Sequence, residues 1–157
     1  MNKRSIISIL IFILVVAFIF IIAIINRNTK FSLDDKYYKN GGLEDVSLND
    51  LENKIKNKES FVLFTYNDFC TFSVPCDTVF NTVSKKNNIT ILQIPFVDFK
   101  KSSLYKKVKY GPSVIIINKG KIEKYLDANS DGDKDLYQDN NKFYKWLSKY
   151  INIKKGE

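Results

Sequence analysis

Two cysteines, Cys70 and Cys76, are the residues of this 157-residue chain best suited to covalent chemistry, and five residues separate them. A thiol becomes a nucleophile as its thiolate, and disulfide exchange needs one thiolate to attack and a second thiol to resolve the mixed disulfide. The same pair could instead close a static loop disulfide, or sit as two small buried side chains. On the residues alone all three readings stay open. The absence of histidine removes an imidazole general base, a Ser-His-Asp triad, a Cys-His protease pair and the ordinary zinc enzyme site. Two cysteines cannot close a structural zinc site either. Any proton transfer falls to carboxylates, lysine or water, and Asp68 and Asp77 are the carboxylates nearest the pair in sequence.

A second group is acidic. Asp127, Asn129, Asp131, Asp133 and Asp135 stand at alternate positions with Gly132 sixth, the spacing of a twelve-residue calcium loop. Position 12, where a bidentate carboxylate belongs, is Gln138, and Asp139 comes one residue late. The segment before the loop, Tyr125-Leu126, has strand character. A solvated acidic turn is the plainer reading and calcium the weaker candidate.

The formal net charge is +8, from 25 basic and 17 acidic residues. Only Arg4 and Arg27 are arginine, and the lysines are scattered in pairs rather than gathered with aromatics in one stripe. Nucleic-acid sites need clustered charge and bidentate arginine, so no nucleic-acid partner is expected. A lysine-rich surface suited to anionic lipid or cell wall remains. The abundance of Lys, Asn and Ile looks like the coding bias of a low-GC bacterial genome.

The elements that must position these groups begin with Ser5 to Ile25, 21 residues without a charge. This matches the roughly 20 apolar residues that cross a bilayer as a helix. No small-residue cleavage site stands near Ala23-Ile24-Ile25, so an uncleaved signal anchor is expected rather than a cleaved signal. Lys3 and Arg4 place residues 1–4 in the cytoplasm and everything after about Asn26 outside, where disulfides persist. Residues 26–44, polar and containing Gly41-Gly42, read as a flexible tether, and residues 45–153 as the domain.

Within that domain Ser47-Leu48-Asn49-Asp50 gives a capping-box-like start to a helix running to about Lys58. Phe61 to Tyr66 is a central strand, apolar on both faces. Because proline suits the first helical turn and the residue before it avoids helical angles, the next helix starts at Pro75 with Cys76 in its first turn. Ile89 to Val97 is a strand whose end, bulge or edge is marked by Pro95. A short helix over Leu104 and Val108 follows. Val114–Ile117 and Ile122–Leu126 form a hairpin around Asn118-Lys119-Gly120-Lys121. Phe143, Trp146, Leu147, Tyr150 and Ile151 share one face of a closing helix. The order β-α-β-α-β-β-α implies a parallel pair extended by an antiparallel hairpin.

At this point the chain resembles the thioredoxin-like superfamily. Phe64-Thr65-Tyr66-Asn67-Asp68-Phe69-Cys70 is similar to that family's strand and the aromatic residue before its first cysteine. Tyr110-Gly111-Pro112-Ser113 followed by Val114 to Ile117 looks like the segment with its cis-proline. The resemblance covers roughly Ser47 to Ile151 and implies an α/β thioredoxin-like fold, a mixed central sheet flanked by helices. It further implies Cys70 and Cys76 as the exchanging pair, with Phe69, Gly111 and Pro112 against the client. Five residues stand between the cysteines where the family has two. Either Val74-Pro75-Cys76 matches the second half of its motif, or Cys70-Thr71-Phe72-Ser73 is a one-cysteine version of it. Phe64 and Ile94 stand where the family often has a buried acid and its lysine partner.

The expectation is a membrane-anchored, extracytoplasmic thiol-disulfide oxidoreductase, with no cofactor beyond a redox-active Cys70–Cys76 disulfide. Its partners would be cysteine-containing secreted or membrane proteins and a redox partner. The alternative is a non-catalytic adaptor on the same fold, for example an accessory to peptide or bacteriocin export, in which the disulfide is structural.

Overall fold

A computed structural model describes residues 11–19, 30–67 and 75–153, the side chain of Cys76 aside. The chain divides into two units, residues 1–30 and 31–157. In the first, residues 11–19 are helical. The rest of the expected anchor, 5–10 and 20–25, lies outside the described residues, among which no helix is long and apolar enough to cross a membrane.

The second unit is built on five strands, β1 (Gly42–Asp45), β2 (Phe61–Tyr66), β3 (Thr90–Pro95), β4 (Ser113–Asn118) and β5 (Lys121–Tyr125), in the spatial order β1-β3-β2-β4-β5. β3 runs parallel to both β1 and β2, while β4 lies antiparallel to β2 and to β5. Among the described residues four α-helices accompany it: α1 (Leu48–Lys56), α2 (Cys76–Lys86), the single turn α3 (Phe96–Phe99) and α4 (Asn140–Tyr150). From Phe61 onward the order of strands and of the long helices is the one read from the sequence, but the short helix stands at Phe96–Phe99 and the segment expected to be helical over Leu104 and Val108 is a turn of 3-10 helix, Ser103–Lys106.

Local chemistry explains most boundaries. Ser47 Oγ accepts the Asp50 amide at 3.1 Å and starts α1. Pro95 ends β3 opposite Tyr66 and precedes α3, which puts Val97 in a helical turn rather than at the end of a strand. Lys119 and Gly120 both take positive φ, the geometry that joins β4 to β5 with the right strand twist. Phe61 to Thr65 are all buried, so β2 is covered on both faces. On one of them Phe64 meets Phe80 of α2 with ring centroids 4.9 Å apart, and Phe80 meets Phe143 of α4 at 4.6 Å.

The tether expectation needs correcting. Residues 31–45 belong to the fold: Leu33 and Tyr37 are buried, a turn of 3-10 helix spans Asp35–Tyr38, and Phe31 bridges to Ile151. Gly41 and Gly42 have positive φ, and a Cβ on Gly41 would come within 3.0 Å of Ser84 O and Lys85 Cα. The glycine pair is the bend that lays β1 beside the end of α2, and β1, short and polar, is a strand because β3 offers it an edge.

Candidate functional site

The corner between β2 and α2 is where the cysteines fall. Pro75 is the N-cap of α2 and Cys76 its first residue, so Cys76 sits where helical N–H groups lack intrahelical partners and the dipole is positive. A helix that starts at Cys76 with Pro75 as its N-cap is close to the start read from the sequence. Phe69 and Cys70 lie outside the described residues, as does Asp68. Asp77, second in α2, is exposed.

At the same end of the sheet, the segment entering β4 carries Gly111 and Pro112, joined by a cis peptide bond. Its frame comes from three places in the chain. Asn67, just past β2, donates from Nδ2 to Gly111 O at 2.8 Å. Tyr137, fully buried at the end of the 3-10 turn Lys134–Tyr137, donates its hydroxyl to Pro112 O at 3.0 Å. Thr65 Oγ1 accepts the Ser113 amide at 3.2 Å. Burial, with Asp133 and Asp127 adding to it, pushes the Tyr137 phenol far above its ordinary range, which keeps it a donor. Gly111 packs so close to Phe96 of α3 that a Cβ there would stand 2.6 Å from the ring.

Among solved structures the chain aligns with a thioredoxin mutant from Halobacterium salinarum at a TM-score of 0.53 and 12% identity, over 74% of this chain and 96% of that one. This chain has a thioredoxin-like fold. Thioredoxins from Malassezia sympodialis and Plasmodium falciparum align at 0.48 and 0.47, each with 13% identity, over 71% and 61% of this chain and 93% and 95% of theirs. No protein-family model and no curated protein sequence matches the chain.

On the thioredoxin-like fold, Phe64 and Ile94 are both buried, and every buried polar side chain among the described residues is neutral: Ser60, Thr65, Ser84, Thr90, Ser102 and Ser113. No ionised acceptor is therefore buried beneath the described part of this corner. Of the side chains that frame it, Thr65 and Asn67 stand in the stretch that carries the resemblance but with no role read for them, and nothing in the sequence marks Tyr137 or Phe96.

The acidic loop does not gather its oxygens. Asp133 accepts the Asp127 amide at 3.0 Å, Asp127 accepts the Asn129 amide at 2.9 Å, and Asp131 and Asp135 pair with Lys134 and Lys142. Asp139 caps α4, accepting the Asn141 and Lys142 amides at 2.7 and 3.0 Å, so it is committed elsewhere. Among the described residues no three of His, Cys, Asp and Glu are placed to hold a metal ion. Asp127 and Asp133 instead line an open cavity of about 380 Å³ together with Lys107 and Lys124.

Proposed function

We propose that this protein is a membrane-anchored, extracytoplasmic thiol-disulfide oxidoreductase acting on secreted or surface proteins. The observation that carries the reading is Cys76 at the first position of α2, the next described element after the central strand of a thioredoxin-like sheet, with the Gly111–Pro112 segment at the same end. In the reductive direction the Cys70 thiolate attacks a client disulfide, forming a mixed disulfide and releasing one client thiolate. The Cys76 thiolate then attacks Cys70 Sγ, releasing the second client thiol. The client gains two electrons and the protein becomes a Cys70–Cys76 disulfide. The opposite flow oxidises the client, and a redox partner resets the pair. Client backbone lies along the segment at Phe69, Gly111 and Pro112.

The anchor has support in residues 11–19, where Ile11, Phe12, Ile13, Leu14 and Val15 are all more than half exposed although consecutive, so the helix has no polar face. A helix apolar all round belongs in a protein core or a bilayer.

The buried Phe64 and Ile94 favour a second reading, an adaptor with a static disulfide, because no buried charge assists the resolving step. A measured reduction potential separates the two: an exchanging pair equilibrates with glutathione, and a structural bridge resists it. Differential alkylation with mass spectrometry should find the Cys70–Cys76 disulfide in oxidising buffer, and Cys70→Ser should abolish insulin reduction. No disulfide in any redox buffer, or unchanged turnover in Cys70→Ser, would end the exchange reading.

A further inference from the structure

Beside the Gly111–Pro112 segment lies a surface of rings and lysines whose exposed part the cysteine chemistry does not use. The Phe96 ring packs on Gly111 and meets Tyr105 edge to face at 6.2 Å. Each of these two rings carries an ammonium: Lys100 Nζ stands 5.3 Å from the Phe96 centroid, and Lys109 Nζ 4.4 Å from that of Tyr105. Val97 and Tyr110 flank them at 65% and 56% exposure, unusually open for an apolar and an aromatic side chain. Between Phe96 and Ser113 the sequence holds five lysines, Lys100, Lys101, Lys106, Lys107 and Lys109, against one acid, Asp98. Asp98 is taken by Lys101 at 2.8 Å, and Glu52, reaching over from α1, accepts the Ser103 amide at 2.7 Å. Lys107 turns toward the cavity that holds Glu123, Asp127 and Asp133. Lys100, Lys106 and Lys109 remain, exposed and without a carboxylate partner among the described residues.

We propose that this surface selects the client: an extended polypeptide segment bearing carboxylates and an aromatic or apolar side chain close to its cysteine. Carboxylates meet Lys100, Lys106 and Lys109, while the apolar side chain covers Val97, Tyr110 and the Phe96 edge. The selection rests on the exchange reading for its purpose, but binding itself needs no thiol. Cations held over rings and left without counter-ions keep their charge available to a ligand, and charge complementarity of this kind sets partner choice and encounter rate.

The test uses the full-length chain in neutral-lipid nanodiscs and three fluorescein-labelled peptides without cysteine: acidic-aromatic, its lysine counterpart, and a neutral one. Anisotropy should show binding of the acidic peptide alone, weakening as salt is raised. The triple variant Lys100→Glu, Lys106→Glu, Lys109→Glu should lower that affinity about tenfold or more. Lys121→Glu, Lys145→Glu, Lys149→Glu, the same charge change on other exposed faces, should leave it within about twofold. Equal binding of acidic and lysine peptides, or equal losses in the two triple variants, would overturn the proposal. So would a result in which the first variant loses binding to added anionic vesicles but keeps the peptide, since the surface would then read lipid. Single-turnover reduction of an acidic disulfide peptide by the pre-reduced protein completes the set. Selective binding without any reduction would retire the exchange reading and leave the surface standing.

Discussion

Where β2 begins, the sheet is held by charge; where β2 stops, it is held by neutral groups. At the first end Glu59 accepts the Tyr37 hydroxyl at 2.6 Å and pairs with Lys36 at 2.7 Å, with Lys54 at 3.9 Å. Asp34 accepts the Ser60 amide there, and the β4–β5 turn docks through Gly120 N to Glu59 O at 2.9 Å. At the other end Asn67, Thr65, Ser113 and Tyr137 hold the segment entering β4 with uncharged hydrogen bonds. The charged end ties residues 31–38 to the domain, a structural task that tolerates a fixed field. The neutral end borders the corner where the cysteines fall, and on the exchange reading proposed above a frame without fixed charge adds no field of its own beside the reacting thiols.

The largest expected effect lies at the charged end. Gly120 has φ +73°, and a Cβ there would collide with Ile55 O. Gly120→Ala should cost about 3 kcal/mol or more in urea unfolding, because neither the φ nor the α1 carbonyl can yield cheaply. Gly111→Ala comes next, at about 1–3 kcal/mol, by pressing a methyl into the Phe96 ring. Phe96→Ala should relieve it, so the double variant should lose less than the sum of the singles. A strictly additive result would mean that the Gly111–Phe96 contact does not restrain the site segment.

Tyr137→Phe should cost about 1–2 kcal/mol by leaving Pro112 O without its donor. It should slow exchange more than it lowers stability, read as a fall in insulin reduction under conditions where the variant is fully folded. Unchanged exchange in Tyr137→Phe would erase the functional half of the comparison.

The smallest effect is one of pH. Burial alone would raise Glu59, but hydrogen bonds from Lys36 and Tyr37, with the charges of Lys54 and Lys36, hold its carboxyl below the usual carboxylate range. A folded-state value below the unfolded one gives stability that is present above the unfolded value, about 4.3, and is lost as pH falls through the folded one. Thermal unfolding should therefore show an acid loss that flattens in Glu59→Gln. Hydrogen exchange in acid should expose the Ser60 amide before that of Ser113, and the reverse order would break the distinction between the two ends.

Sequence alone determined β2, the β4–β5 hairpin, the start of α2 at Pro75-Cys76 and the apolar face of α4, because each is written in local period, turn chemistry or proline geometry. It also brought out Gly111 and Pro112, through the resemblance they carry. Other features tertiary structure alone decided. β1 is a strand only because β3 presents an edge 48 positions along the chain, with Gly42 against Thr90. The acidic loop has an ion-loop spacing, yet Asp131, Asp133, Asp135 and Asp139 are drawn apart by lysines, a loop amide and a helix start. Tyr137 and Asn67 reach the Gly111–Pro112 segment from residues 25 and 44 positions away. Such contacts have no period and no motif, since they depend on strand order and on which backbone carbonyls that order leaves in need of a donor.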